Sequence, residues 1–360
     1  MRVTHVNINS HPSQVDGVRS AVANLARAQT ERGDEVEVVD ASWLERHGGR
    51  LSAEHPVLAR ADIVHLHSVF RPRHMQIARW CRGAGVPYVV SPHSGLTAGS
   101  LARQRGRKAL WIAAFDARML SNARAVVCLT PAERAEVRRV SPDARTAIVP
   151  NLSPPPSAGP RWTYRPDDPH VVTLARFDVW QKGLDRLTEI ARRLPDVRFT
   201  VYGGFDKNDP RRARRLIDGA PPNLAFAEPV HGSHKAKVLA EASLYLQPSR
   251  WEGMSVALLE AFAQATPCAV SPYIAASLGR SASQIAATVA DDPELATATI
   301  RNVLGDPDRL RAMSVAGRDW MQATTDPDAV VAALATAYRG GPPGSNTNRI
   351  RTRRQGGDVS

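Results

Sequence analysis

Apolar positions along the chain follow two alternating rhythms. Short β-rich runs lie at Val3–Ile8, Glu35–Val39, Asp62–His67, Tyr88–Ser91, Ala125–Leu129 and Thr146–Val149, and between them stretches such as Val18–Glu31 and Pro131–Arg139 carry apolar residues at helical spacing. Several of the runs are apolar on both alternating faces, as in a parallel sheet covered by helices on each side. The rhythm breaks at Pro150–Pro169, where seven prolines fix backbone angles and remove N–H donors, which predicts a linker. It resumes with strands at His170–Leu174, Arg198–Tyr202, Leu224–Ala227, Leu244–Gln247 and Cys268–Ser271, and with helices near Leu184–Arg193, Arg211–Asp218, Lys235–Ala242 and Val256–Ala263. Further helical patterns cover Pro293–Leu304, Asp308–Met321 and Pro327–Tyr338.

The predicted fold class is therefore α/β, with two Rossmann-like parallel-sheet domains. The expected division is residues 1–155 for the first domain, 156–169 for the linker and 170–326 for the second domain. A helix over 327–340 returns to the first domain and lets the halves close, and a basic tail over 341–360 has too little apolar surface to fold.

Composition supports two cores: 360 residues and 43% hydrophobic content are comfortable for a pair of domains. The longest apolar runs, such as Ala109–Phe115, are too short to cross a bilayer, and the N-terminus has no apolar signal segment, so a cytoplasmic chain is expected. Cys81, Cys128 and Cys268 stand far apart without metal-like spacing, which predicts neither disulfide nor zinc. The net charge of +12 admits nucleic acid, an anionic membrane or a phosphorylated substrate as partner. Nucleic acid is not expected, because aromatic residues are not interleaved with the basic runs. Segment 100–120 combines Arg103, Arg105, Arg107 and Lys108 with Trp111, Phe115 and Met119 at i, i+4 spacing. It reads either as a core-facing stripe or as a peripheral contact with an anionic membrane at the inner face.

Candidate chemistry lies in two segments. In "PSRWEGMSVALLEAFAQATP", the strand ending at Gln247 stops at Pro248, so Glu252 stands in a loop at a strand's carboxyl end, where open α/β sheets place ligands. With a helix starting near Ser255, the amides around Met254, Ser255 and Val256 form an anion site. Glu260 lies about 7–8 Å further along that helix, close to the span from a diphosphate to the ribose of the same nucleotide. The blander reading makes Glu252 a loop charge and Glu260 a solvent-facing interruption. In "LARFDVWQKGLDRL", Arg176 and Lys182 follow a strand and precede a helix, which suits an anionic ligand, or else two solvated charges. His65 and His67 alternate on one strand and face the same side. A third ligand at suitable spacing is missing, so packing, cleft lining and metal binding all stay open.

Together these segments resemble the retaining nucleotide-sugar glycosyltransferases of the glycosyltransferase B fold, most closely glycosyltransferase family 4. The likeness rests on R-x5-K-G from Arg176 to Gly183 and E-x7-E from Glu252 to Glu260, with "DIVHLHS", "VPYVVSPHSGL" and "IVPN" in family order, and covers about residues 1–340. It implies a metal-independent sugar transfer, without a cofactor, from a nucleoside diphosphate sugar to a hydroxyl acceptor in the class of glycans, glycolipids or small molecules, lipid-linked candidates included. It implies that Arg176 and Lys182 hold the diphosphate, that Glu252 contacts the sugar and that Glu260 binds the ribose. Gly253 and the amides of Met254, Ser255 and Val256 complete the phosphate site. Gly203, Gly204 and Val230 would lie near the base, Gly17 near the donor phosphates, and His93 at the reaction centre or, alternatively, as a loop histidine satisfied by its neighbours. Departures from the family pattern are Asp16 before Gly17, Ser255 and Ala265 where glycine is usual, and "PYIAASLGRS" without paired glycines. They keep open an inactive sugar-nucleotide-binding module as the alternative, and the net charge of +12 leaves a basic nucleic-acid-binding protein as a second, weaker one.

Overall fold

The computed structural model describes residues 1–8, 17–48, 55–153, 161–164, 167–205, 209–279 and 282–341. The alternation read from the sequence is realised as two six-stranded parallel sheets. The first is built from β1 (Arg2–Asn7), β2 (Glu35–Asp40), β3 (Ile63–His67), β4 (Tyr88–Ser91), β5 (Ala125–Cys128) and β6 (Thr146–Ile148), in the order β2-β1-β3-β4-β5-β6. The second comprises β7 (His170–Leu174), β8 (Arg198–Tyr202), β9 (Leu224–Ala227), β10 (Leu244–Gln247), β11 (Cys268–Val270) and β12 (Ala287–Thr288), in the order β12-β11-β10-β7-β8-β9. Counted from β7, this is the 3-2-1-4-5-6 order of dinucleotide-binding sheets, with its reversal between β7 and β10. In the first sheet the reversal falls between β1 and β3.

Apolar strand residues alternate between the two faces of the first sheet. Val6, Val64, Leu66 and Val90 pack on one side, while Val3, Ile63 and Val89 pack on the other against Val330, Leu334 and Tyr338 of the last helix, Pro327–Arg339. The helix Pro327–Arg339 thus packs on the sheet to which β1 belongs. The second sheet has its own core around Leu184, Ile190, Phe199, Leu244 and Ile300. Of the proline-rich segment, residues 154–160 and 165–166 lie outside the described residues, as do Asp16 and the tail from 342. Trp162 anchors one described part of that segment, its indole donating to the Ala242 carbonyl at 2.8 Å.

Two local features depart from simple periodicity. Ile112–Asp116 forms a π turn, whose wider i→i+5 bonding shifts the helical register. The stripe expected from i, i+4 spacing is therefore split. Met119 is buried, Phe115 is 36% exposed, and Leu110, outside the stripe, is 75% exposed. Ala265 follows the helix Val256–Ala263 in the left-handed region, at φ 60°. An L-residue there carries a penalty of about 1–2 kcal/mol, partly offset in any glycine variant by greater freedom of the unfolded chain. Ala265→Gly is expected to stabilise the protein by about 0.5–1 kcal/mol, read as a higher urea midpoint.

Candidate functional site

The loops that leave the sheets at their reversals face each other across a cleft of about 870 Å³. After β7 the chain runs through Arg176 and Lys182 to Gly183, where the helix Leu184–Arg193 begins. Gly183 has φ 65°, and a Cβ there would stand 2.2 Å from the Pro248 carbonyl oxygen. The glycine thus lets the loop after β7 lie directly on the loop after β10. Gly203 serves a similar close approach, because its Cβ would fall 1.7 Å from the Ala175 oxygen, beside Arg176.

After β10, the helix Val256–Ala263 starts at the cleft wall with Ser255 as its cap, the hydroxyl accepting from the Leu258 amide at 3.3 Å. Serine at a position where glycine was expected is thereby explained: it caps the helix whose first amides face the cavity. Arg250 fixes the neighbouring turn. It donates two bonds of 2.7 Å to Asp185 and stacks 3.7 Å over the Trp180 ring.

The two carboxylates are both partnered by lysines. Lys182 donates to Glu252 Oε1, which also accepts from the Ser249 hydroxyl at 3.0 Å. Lys235, on the helix Gly232–Glu241, donates to Glu260 Oε1 at 2.6 Å. This ion pair accounts for a carboxylate inside an otherwise apolar helix, and Glu260 also lines the cleft. Each acidic group is thus poised between a cation and the cavity.

The first lobe contributes the turn after β4. His93 and Ser94 both have positive φ, 49° and 60°. Glu133 holds this strained pair from behind, one carboxylate oxygen accepting from the Ser94 amide at 2.6 Å and the other from the Leu129 amide at 2.6 Å. Contacts also cross the cleft: Arg103 pairs with the buried Asp178 at 2.9 Å, and the Asn151 amide donates to the Met254 carbonyl at 2.7 Å. Trp251 lies against Gly99, where a Cβ would come within 2.5 Å of the indole. Gly253 sits beside Ser94 and Leu129.

Of the residues singled out in the sequence, Arg176, Lys182, Glu252, His93, Gly17, Gly203, Val230, Gly253, Met254, Ser255, Val256 and Glu260 all line this one cavity. Gly204 is not part of the described lining; its carbonyl accepts from the Phe177 amide at 2.8 Å. Among the described residues, a side chain at Gly17 would meet nothing within 4 Å. Lys235, Asp178 and Arg103 also line the cavity and were not indicated by the motifs. Their partners lie on other elements or on the opposite lobe, so no local spacing announces them. The missing third imidazole beside His65 and His67 is supplied by His5 from the adjacent strand β1.

Burial gives these histidines a measurable effect on stability. It pushes His5, His74 and His170 down to about 4 and holds His65 and His67 well below the ordinary range. Burial acts oppositely on carboxyls, raising Asp116 to about 6, Glu136 to about 7, and Glu133. Between pH 7 and 5 the unfolded chain binds protons at five histidines that the folded chain leaves neutral, whereas the folded chain gains them at Asp116 and Glu136. The histidines outnumber the carboxyls, so stability should fall with pH across this window, by on the order of 3 kcal/mol. Urea titrations at pH 7, 6 and 5 give the slope.

Two parallel-sheet lobes with their reversal points facing across a cationic cleft define the glycosyltransferase B class of two-domain enzymes. Comparisons agree. Residues 168–306 match the family model described as Glycosyl transferases group 1, and residues 42–152 match the Glycosyl transferase 4-like domain. The GDP-mannose-dependent alpha-(1-6)-phosphatidylinositol monomannoside mannosyltransferase of Mycolicibacterium smegmatis is 30% identical over 47% of this chain, a match spanning about half, 48%, of that protein. The corresponding dimannoside mannosyltransferase of Mycobacterium tuberculosis is 26% identical over 95% of this chain and 98% of its own. Among solved structures, sucrose-phosphate synthase from Thermosynechococcus elongatus superposes with a TM-score of 0.74 at 17% identity, over 94% of this chain and 98% of that one. Anabaena HepE in complex with UDP and glucose gives 0.72 at 13%, over 94% and 99%. The chain is a glycosyltransferase of the glycosyltransferase B fold and is family 4-like.

Proposed function

We propose that the protein transfers a sugar from a nucleoside diphosphate sugar to a hydroxyl acceptor with retention of anomeric configuration. The observation that carries this reading is the convergence of Arg176, Lys182 and the start of the helix Val256–Ala263 on one cavity wall, with Glu260 one turn further along. A guanidinium fork, a mobile ammonium and free helix amides suit a diphosphate, and Glu260 stands at ribose distance from it. As the glycosidic bond to the diphosphate breaks, negative charge grows on the leaving group, and these groups are already aimed at it. They provide that neutralisation from the protein itself, without calling on a metal ion. Glu252, beside Lys182, faces the donor sugar, and His93 borders the reaction centre from the first lobe.

Both relatives named above are called GDP-mannose-dependent and act on phosphatidylinositol mannosides. GDP-mannose is therefore the first donor to try, with a lipid-linked hydroxyl as acceptor. In a thermal-shift panel of GDP-, UDP- and ADP-sugars, one nucleotide is expected to raise Tm. At a hundredfold excess over Kd the stabilisation is about 2.7 kcal/mol. Glu260→Ala is expected to abolish that shift, and an undiminished shift in this variant would remove the ribose assignment.

A further inference from the structure

Behind His93 lies a set of polar side chains that the proposed transfer does not use. His5 on β1 and His65 on β3 are directly opposite in the parallel register, and His67 follows two residues on, so all three imidazoles emerge on the same sheet face. That face is covered by the helices Gly17–Thr30, carrying Gln29, and Pro327–Arg339, carrying Tyr338. None of His5, His65, His67, Gln29 and Tyr338 is more than 3% exposed. Buried imidazoles are costly unless their nitrogens are bonded.

The bonds form a connected path. His5 Nε2 lies 2.8 Å from Gln29 Oε1, His5 Nδ1 lies 2.9 Å from His67 Nε2, and His67 Nδ1 lies 2.9 Å from His93 Nε2. A side branch joins His65 Nδ1 to the Tyr338 hydroxyl at 2.9 Å and His65 Nε2 to the Ser91 hydroxyl at 2.7 Å. The three imidazoles are close enough to hold a metal ion. Yet each of their six nitrogens is already within hydrogen-bond distance of another atom, and a metal would have to break the path to bind.

Burial keeps His5, His65 and His67 neutral at pH 7. A neutral imidazole has one donor and one acceptor nitrogen, so bonds along a chain of them must all run in the same direction. Gln29 sets that direction. Its Oε1 can only accept, which puts the proton of His5 on Nε2 and leaves Nδ1 to accept from His67 Nε2–H. By the same step His67 Nδ1 accepts from His93 Nε2–H. The Gln29 side chain also bonds to Tyr338, which holds the amide from its other side.

We propose that Gln29, His5 and His67 are positioning residues that hold the cleft-lining His93 as its Nε2–H tautomer, with Nδ1 as an accepting nitrogen for a substrate hydroxyl. This rests on the reading of His93 as part of the reaction centre. The backbone of the same residue is fixed independently through Glu133 and Ser94, so both ring and main chain are set before substrate arrives. A carbohydrate hydroxyl donates its proton to Nδ1 in this tautomer, whereas in the other its oxygen can only accept from Nδ1–H, so the tautomer sets the direction of that bond.

Nitrogen-15 spectra of the full chain labelled at histidine decide the matter. The wild type is expected to show His93 protonated on Nε2 alone. Gln29→Met, which removes the terminal acceptor at two imidazoles' distance from the cleft, should give mixed tautomers at His93. It should also lower kcat about tenfold while the nucleotide thermal shift stays. Gln29→Glu, which retains an accepting oxygen, should restore the single tautomer and most of kcat. A His93 protonated on Nδ1 in the wild type, stoichiometric metal in the purified protein, or a Gln29→Met variant with wild-type His93 signals and kcat would each overturn the proposal. The wild-type spectrum decides even where a variant fails to fold. Full turnover in His93→Ala would instead remove the catalytic reading of His93 and leave the tautomer result standing.

Discussion

Lys182→Ala is expected to lower kcat by about 10³, the largest loss from any single side chain of the cleft. Removal of one preorganised donor aimed at developing negative charge costs on the order of 10²–10³. Lys182 has a second role that places it at the upper end. Its ammonium is the cation beside Glu252, whose side chain is only 11% exposed and whose remaining bonds come from the neutral Ser249 and Gln247. With the ammonium gone, Glu252 is left buried beside the phosphate site without its counter-charge, and it opposes the leaving diphosphate. Lys182→Arg, which keeps the charge with a different reach, should recover part of the loss. Steady-state kinetics with the sugar nucleotide identified by thermal shift checks this; a kcat within threefold of wild type would exclude Lys182 from the transfer step.

Gly183→Ala is expected to cost about 3 kcal/mol of stability and to impair nucleotide binding at the same time. Two penalties coincide at this residue. The left-handed φ of 65° disfavours any L-side chain by about 1–2 kcal/mol. The added methyl would also meet the Pro248 carbonyl at 2.2 Å, backbone that cannot swing aside as a side-chain tip would, and overpacking of this kind costs about 1–3 kcal/mol. Relief of the clash has to separate the loop carrying Lys182 from the loop carrying Glu252. Urea denaturation measures the first effect, and the nucleotide-induced shift in Tm measures the second. A variant with unchanged midpoint would show that the two loops are not held in register by this contact.

The contrast between these local features and the histidine path shows which parts of the site were legible in the sequence. Arg176, Lys182, Glu252 and the start of the helix Val256–Ala263 each sit within a few residues of a strand's carboxyl end, and a parallel sheet brings all such ends to one side. Recognition of the strands was therefore enough to bring these residues to one cleft. The partners were a different matter. Lys235 reaches Glu260 from a separate helix, and Arg103 reaches Asp178 from the opposite lobe. His5 joins His65 only because β1 and β3 are neighbours in a non-sequential strand order, and Tyr338 arrives from 273 residues away. None of these pairings leaves a periodic trace. The stripe at 100–120 is divided for a local reason instead: the π turn at Ile112–Asp116 changes the spacing on which that pattern depended.

The turn from Trp251 to Met254 leads into the helix whose amides would receive the phosphates, and the same few residues carry the indole on Gly99, the backbone beside Ser94 and the carbonyl that takes the Asn151 amide. The proposed phosphate site and contacts between the two halves thus share one short piece of chain. Nucleotide occupancy and the spacing of the two halves are then linked quantities, and linkage is reciprocal. On the proposed function, an acceptor that draws the halves together would tighten hold on the donor by the same factor, and anything that wedges them apart would favour release of the diphosphate.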